Sequence, residues 1–330
     1  MPRALITGIG GQDGRYLAAL LHSQGYEVFG LVHGQDPGRA ERLVEEYPFI
    51  TPITGDLLDL HSLIAALELS QPAEVYNLAG ISFVPLSFSQ SELVSNVVGM
   101  GALRLLEAIT VFTRGGATTR FYQASSSEMF GRPTSSPQDE TTPLRPLSPY
   151  GVAKVFAHNM TAAFRVSQGL FAVSGIAYNH ESPARGLEFV TRKVTNAVAK
   201  IKLGLKNELT IGNLDAQRDW GYAADYVKAM WLMMQQDEPD DYVIATGTLH
   251  SVRDLVRTAF AAAGIEDWEH HVRIDERFLR PAEVGQLVGN ASKARAELGW
   301  QPSISFEELI AMMVEHDLKI ESERSDERSR

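Results

Sequence analysis

The chain has 330 residues, 44% of them hydrophobic, no cysteine, and a formal net charge of −11 at neutral pH. That length and apolar content suffice for one large domain or two of ordinary size, while the missing cysteines exclude disulfides, thiolate nucleophiles and cysteine-ligated zinc. The acidic balance argues against a nucleic-acid partner, which needs a dominant basic surface, and no run approaches the about 20 uninterrupted apolar residues that span a bilayer.

MPRALITG enters a strand-like run without the basic start, apolar stretch and cleavage site of a secretory signal, so a soluble, cytoplasmic protein with no membrane partner is expected. ALITG (4–8), EVFGLV (27–32), FITPITG (49–55), EVYNLAG (74–80) and RFYQAS (120–125) are strand candidates separated by segments with helical spacing, and FAVSGIAYN (171–179) reads as a sixth. The alternation predicts an α/β fold with a Rossmann-type doubly wound parallel sheet, covered by helices on both faces. After Asn179 comes a charged, proline-containing loop, HESPARG, then a helix from about Phe189 to Leu203. A helix from about Tyr222 to Gln236 and the strand YVIATG (242–247) return to the main sheet. RFLRPAEVGQ and ASKARAELGW fall in a smaller α/β substrate-binding lobe. The expected division is therefore 1–178 and 219–247 for a dinucleotide, and 179–218 with 248–330 for a substrate. The tail ESERSDERSR lacks apolar anchors and is expected to fray.

Directly after the first strand, TGIGGQDG sets Gly8, Gly11 and Gly14 three apart, with Gln12 and Asp13 between them. Glycines there permit a tight turn, let backbone amides approach a pyrophosphate and let the next helix pack on the strand, whose N-terminus supplies partial positive charge. The strand-turn-helix setting makes this a dinucleotide site. The second strand ends in Val32 and His33 rather than the acid an NAD site uses; Arg15, His33 or Arg39 can face a 2′-phosphate, which favours NADP and leaves NAD open. Asp56 and Leu57 follow the third strand and border the adenine; Leu78, Ala79 and Ser82 of LAGIS lie where the fourth ends beside the cofactor.

In SPYGVAK, Ser148 suits a helix N-cap and Pro149 the first helical position. Val152, Val155, Phe156, Met160 and Ala163 form an apolar stripe expected to face the core, with Tyr150 and Lys154 together on another face. A tyrosine is a poor base near neutrality, but a neighbouring ammonium favours its phenolate. Upstream, ASSSEMFG offers the Ser126 hydroxyl and the Glu128 carboxylate beyond the end of the fifth strand, where open α/β sheets bind ligands.

TGIGGQDG, SSSEMFG, SPYGVAK, NHESPARG, FVTRK, GNLDAQRDWG, DDYVIATG, HSVRDL and RPAEV together resemble the GDP-mannose 4,6-dehydratases of the extended short-chain dehydrogenase/reductase family, over nearly the whole chain. The resemblance implies a lyase acting on GDP-mannose, with Tyr150, Lys154, Ser126 and Glu128 as its catalytic residues and NADP as the hydride carrier. It implies cofactor contacts at His180 and Arg185. It places Asn179, Val190, Lys193, Arg218, Arg280 and Glu283 on the nucleotide sugar, with Ser82, Ser126 and Glu128 near the sugar itself. Departures from the family pattern are Ser126 for Thr, Ala184 for the first arginine of a pair, Phe83 for His, and a shortened segment after the second strand that lacks an arginine pair. That segment helps bind the cofactor phosphate and join subunits in relatives, so homodimer and homotetramer both stay open. An epimerase or 4-keto-sugar reductase on the same fold is the rival reading, and a non-catalytic dinucleotide sensor a second. A reductase needs Tyr and Lys but has no use for Glu128 as a C5 base.

Overall fold

A computed structural model of the chain describes residues 1–34, 38–275 and 286–329. The first half alternates β1 (Arg3–Thr7), α1 (Gln12–Ser23), β2 (Glu27–Val32), α2 (Gly38–Glu46), β3 (Ile50–Thr54), α3 (Leu60–Ser70) and β4 (Glu74–Asn77). Then come α4 (Val84–Ser89), α5 (Ser91–Val94), a π-helical turn (Ser95–Met100) and α6 (Gly101–Thr113), followed by β5 (Arg120–Ser126), α7 (Pro149–Gln168) and β6 (Ala172–Ala177). The rest comprises β7 (Asn179–Glu181), α8 (Val190–Lys202), β8 (Leu209–Ile211), β9 (Gln217–Tyr222), α9 (Ala223–Met234), β10 (Asp241–Ile244), β11 (Leu249–Ser251), α10 (Val252–Ala262), β12 (Val272–Ile274), α11 (Ser292–Leu298) and α12 (Phe306–Ser329).

Seven strands form one sheet in the order β10-β6-β5-β4-β1-β2-β3, every neighbouring pair parallel. The chain winds outward from β1 in both directions, so the predicted doubly wound sheet is present and its switch point lies between β1 and β4. Strands such as β4, buried at all four residues, carry no polar-apolar alternation because helices cover both faces. On one face Leu17, Ala18 and Leu21 of α1 and Met230 and Met233 of α9 pack on Ile6, Val28 and Tyr122; on the other, Leu63 and Leu67 of α3 and Leu105 and Ile109 of α6 pack on Leu5, Val75 and Phe121. A separate core joins Val194 and Val198 of α8, Leu255 and Phe260 of α10, Ile310 and Met313 of α12, and Trp220. Beside it lie a β11-β9-β7 sheet and a β12-β8 pair.

The continuous helix Ser91–Thr113 is long and apolar enough to cross a membrane by length and composition, but half of its apolar window is buried in the protein. Leu105, Leu106, Ala108 and Ile109 have no exposed surface, which makes it a core helix.

Two expectations are corrected. On α7 the buried face is Tyr150, Gly151, Ala153, Lys154, Ala157 and Thr161, whereas Val152 and Phe156 are exposed. Small residues take the centre of the core face because α7 lies close against β5 and β6; of the expected stripe, Val155 and Met160 are partly buried against the core, while Val152, Phe156 and Ala163 face outward. The tail does not fray at Glu321: α12 runs to Ser329, anchored by Asp317 and Glu321, two acids buried against α8.

Candidate active site

The C-terminal ends of the parallel strands open into a cavity of about 930 Å³ whose walls come from the main sheet and from the smaller lobe beside it. Its floor is the turn after β1. Gly8 has φ +72°, and a Cβ there would sit 2.7 Å from the Ala79 amide; one on Gly14 would sit 2.5 Å from the Gly8 carbonyl. The turn therefore packs directly on the end of β4 with no room for side chains. Gly11 precedes α1 and contributes no side-chain cap, so the first-turn amides stay available to an anion. This cradle fits the pyrophosphate of a dinucleotide. Gly8, Gly11, Gln12, Asp13 and Gly14, then Asp56 and Leu57, and Leu78, Ala79 and Ser82 all line the same cavity. Of the three basic groups considered for a 2′-phosphate, Arg15 is diverted to the Gly10 carbonyl (3.2 Å) and Glu46 (3.4 Å). His33 and Arg39 line the cavity, His33 bonding Asp56 at 2.9 Å and the Arg39 guanidinium standing over Gly10.

The catalytic candidates meet where β5 ends and α7 begins. Ser148 caps α7, its Oγ accepting from the Gly151 amide at 3.0 Å, and Pro149 fixes the first turn. A Cβ on Gly151 would lie 2.8 Å from the Glu128 carbonyl, so glycine beside Tyr150 lets the helix approach the Ser126–Glu128 turn. Ser126 Oγ accepts from the Glu128 amide at 3.2 Å and is hydrogen-bonded to the Tyr150 phenol. Burial pushes the Tyr150 pKa up; the Ser126 hydrogen bond and the Arg185 charge pull it down, while Glu128 and Asp13 oppose them. Lys154 is buried too, and loss of solvation holds its amine down to about 8, with Asp13 pulling the other way. Its Nζ donates to the Ala124 carbonyl at 2.6 Å and lies 5.7 Å from the Tyr150 ring centroid. Ser126 and Arg185 thus draw the Tyr150 phenol downward beside the Lys154 ammonium that the helical spacing brings to it.

The wall opposite the glycine turn is the 179–190 segment. Gln12 Nε2 donates to the His180 carbonyl (3.0 Å), Ser182 Oγ donates to Gln12 Oε1 (2.8 Å), and His180 Nε2 meets Asp13 Oδ2 at 2.9 Å. His180 Nδ1 faces the Tyr178 carbonyl at 2.7 Å. Both ring nitrogens face acceptors, so the ring carries two protons. Burial works against that charge, but Asp13 and the Tyr178 carbonyl outweigh it and raise the His180 pKa. Burial likewise disfavours the Asp13 carboxylate, yet the charge and hydrogen bond of His180, the Gln12 amide and Arg185 hold it down to about 2.

Arg185 also lines the cavity, its guanidinium 3.5 Å from the Phe189 ring centroid and its Nε 3.2 Å from Glu181 Oε2. Phe189 meets Phe83 edge to face at 5.9 Å, an aromatic wall that spacing alone does not reveal. Asn179, Val190, Lys193 and Arg218 line the same space. Burial and the nearby Lys206 charge lower the Lys193 pKa, and Arg218 Nη1 donates to the Gln217 carbonyl at 2.6 Å. Arg280 and Glu283 lie outside the described residues.

A glycine-rich dinucleotide cradle, a Tyr–Lys pair and a neighbouring carboxylate, all in one cavity of a doubly wound sheet, define an extended short-chain dehydrogenase/reductase with a nicotinamide dinucleotide as cofactor. Solved structures agree on the fold. The UDP-glucose 4-epimerase of Thermus thermophilus, in complex with NAD, superposes with TM-score 0.83 at 27% identity, over 96% of this chain and 98% of that one. The dTDP-glucose 4,6-dehydratase of Bacillus anthracis, in complex with NAD, superposes at 0.81 and 19% identity, over 98% of both. The profile of the family described as GDP-mannose 4,6 dehydratase matches residues 5–313. GDP-mannose 4,6 dehydratase 2 of Arabidopsis thaliana is 48% identical over 96% of this chain and 87% of its own length, and the human GDP-mannose 4,6 dehydratase is 44% identical over 96% and 91%. The chain belongs to the GDP-mannose 4,6-dehydratase family.

Proposed function

We propose that the cavity carries out the reaction of its family, conversion of GDP-D-mannose to GDP-4-dehydro-6-deoxy-D-mannose with loss of water, through Tyr150, Lys154, Ser126 and Glu128. The observation that carries this reading is the convergence of Ser126, Glu128 and Tyr150 at the β5–α7 junction, inside the cavity that also holds the glycine turn. When bound, the nicotinamide dinucleotide accepts hydride from C4 and returns it to C6. Tyr150 receives the 4-hydroxyl proton, assisted by the Lys154 ammonium, which lies 5.7 Å from the Tyr150 ring centroid and favours the phenolate. Oxidation at C4 makes the C5 hydrogen acidic, and Glu128 removes it. The 6-hydroxyl is a poor leaving group and departs with a proton from Glu128 through Ser126. C5 then takes a proton from solvent while Tyr150 gives up the 4-hydroxyl proton to solvent, and the returning hydride makes C6 a methyl group. One water is lost and no net oxidation occurs.

NADP is the preferred form: Arg39 faces the adenosine end of the cavity and has no carboxylate partner among the described residues, and a 2′-phosphate supplies one. Lys193 and Arg218 take the GDP pyrophosphate, Asn179 and Val190 border the sugar, and Arg280 with Glu283 take the nucleoside. Residues 1–178 and 219–247 thereby serve the cofactor, and 179–218 with 248–330 the nucleotide sugar. The outward apolar face of α7, Val152 and Phe156 beside the exposed Leu93 and Met100, supports a second copy of the chain, as dimer or tetramer, in the cytoplasm. In a test with purified protein and GDP-mannose, the sugar nucleotide loses the mass of one water with no lasting rise in reduced cofactor. NADPH accumulating in step with sugar consumed contradicts the reading.

A further inference from the structure

Between Val190 and Lys193, two cavity-lining residues of α8, stands Arg192, which does not line the cavity and is only 9% exposed. Its Nη2 donates to Asp317 Oδ1 of the C-terminal helix at 2.6 Å, and Asp317, with no exposed surface, accepts from Thr195 Oγ1 at 2.7 Å through its other oxygen. The opposite arm of the guanidinium, Nη1, donates to the Pro183 carbonyl and, at 3.1 Å, to the Arg185 carbonyl. One turn further along α12, Glu321 repeats the link to α8, accepting from Asn196 at 2.9 Å and pairing with Lys200 at 3.6 Å.

A buried ion pair is costly to desolvate and is weak support for stability by itself. What the Arg192 fork does that an apolar pair would not is grip two carbonyls of the segment that delivers Arg185 to the cavity. The planar guanidinium is suited to this, since its donors diverge in a fixed geometry.

We propose that Arg192, fixed by Asp317 of the C-terminal helix, is a positioning residue that holds the 183–185 backbone so that the Arg185 guanidinium is presented to the bound cofactor. This rests on the reading of Arg185 as a cofactor contact. The Arg185 charge also reaches the Tyr150 phenol and draws it downward, so a retracted Arg185 leaves Tyr150 a weaker acid. The C-terminal helix is thereby coupled to the chemistry without touching either ligand.

The test compares Arg192→Lys, Asp317→Asn, Arg185→Met and the Arg192→Lys/Arg185→Met double variant for NADPH affinity, read by nicotinamide fluorescence, and for kcat/KM against pH. Lysine still reaches Asp317 as a point charge but cannot hold both carbonyls. Arg192→Lys is expected to melt near wild type yet bind NADPH about tenfold more weakly, the loss of charge-assisted hydrogen bonding. Its alkaline-going rise in kcat/KM moves to higher pH. Asp317→Asn, of the same shape, reproduces both effects from the other end of the link. The double variant binds no worse than Arg185→Met alone, because Arg192 acts through Arg185. The inference is overturned if Arg192→Lys binds NADPH within about twofold of wild type, if the two losses multiply in the double variant, or if affinity falls only as melting falls. If Arg185→Met itself binds as wild type, the cofactor reading of Arg185 fails and takes the inference with it. That outcome is distinct from a normal Arg185 effect with an inert Arg192.

Discussion

Gly151→Ala changes no proposed catalytic side chain, yet it should reveal how closely α7 must approach the Ser126–Glu128 turn. The added methyl would sit 2.8 Å from the Glu128 carbonyl, 3.0 Å from Pro146 Cβ and 3.2 Å from Ser148 Oγ. Relief to ordinary contact needs the start of α7, with Tyr150, to withdraw by about half an ångström. Overpacking of this kind costs about 1–3 kcal/mol, while alanine in place of glycine in a helix returns about 1 kcal/mol, so the net loss of stability is modest. Misplacement by about 1 Å costs about a hundredfold in rate; half of that corresponds to a fall in kcat of about tenfold. Steady-state kinetics by mass detection, alongside thermal melting, separates the two effects. A variant with kcat within about twofold of wild type would refute the reasoning, since the close approach would then be irrelevant to the chemistry.

Glu128→Gln should bind GDP-mannose and NADPH as wild type but cease to exchange the C5 hydrogen with solvent; continued exchange, followed by NMR in deuterated buffer, removes Glu128 from its role. Arg39→Ala should weaken NADPH by about tenfold and leave NADH unchanged, the loss of one charge-assisted phosphate contact; equal losses for both would assign Arg39 to the shared part of the dinucleotide. The Asp13–His180 pair should shape stability against pH. Asp13 is held at about 2 against an ordinary 3.8, so its contribution is complete above pH 3.8 and lost as pH falls toward 2. His180 is raised above 6.5, so its contribution is complete below 6.5 and lost as pH rises through the higher value. Asp13→Asn should flatten both limbs in melting curves against pH, and unchanged limbs would show that the pair is not their source.

The main sheet was legible because buried parallel strands print as short apolar runs: 27–32 and 120–125 coincide with β2 and nearly with β5. The glycine turn was legible for the same reason, because backbone contact at Gly8 and Gly14 leaves glycine as the residue that fits. Helical periodicity holds on α7 for Val155 and Met160, which pack against the core, and fails for the rest of the stripe. Val152 and Phe156 look like a core stripe, but Ala153, Lys154 and Ala157 have the smaller or extensible side chains that a close strand-to-helix contact requires. It failed again at the C-terminus, where Asp317 and Glu321, four apart and flanked by charge, look like a solvated face. Their partners Arg192, Thr195, Asn196 and Lys200 sit more than a hundred residues away, so no local pattern marks them as buried. Lys154 shares the Tyr150 face, as its spacing predicts; its hydrogen bond to the Ala124 carbonyl depends on a strand that spacing along α7 does not contain.

The central claim is that a single hydride leaves C4 of the sugar and returns to C6 of the same molecule within one cavity. GDP-mannose carrying deuterium at C4 tests it directly, with the product read by NMR and mass spectrometry. The label is expected in the C6 methyl group of the 4-dehydro-6-deoxy sugar, without dilution by solvent or by added unlabelled NADPH. Its loss to solvent or to the free cofactor pool, with an unlabelled methyl group, would contradict the account.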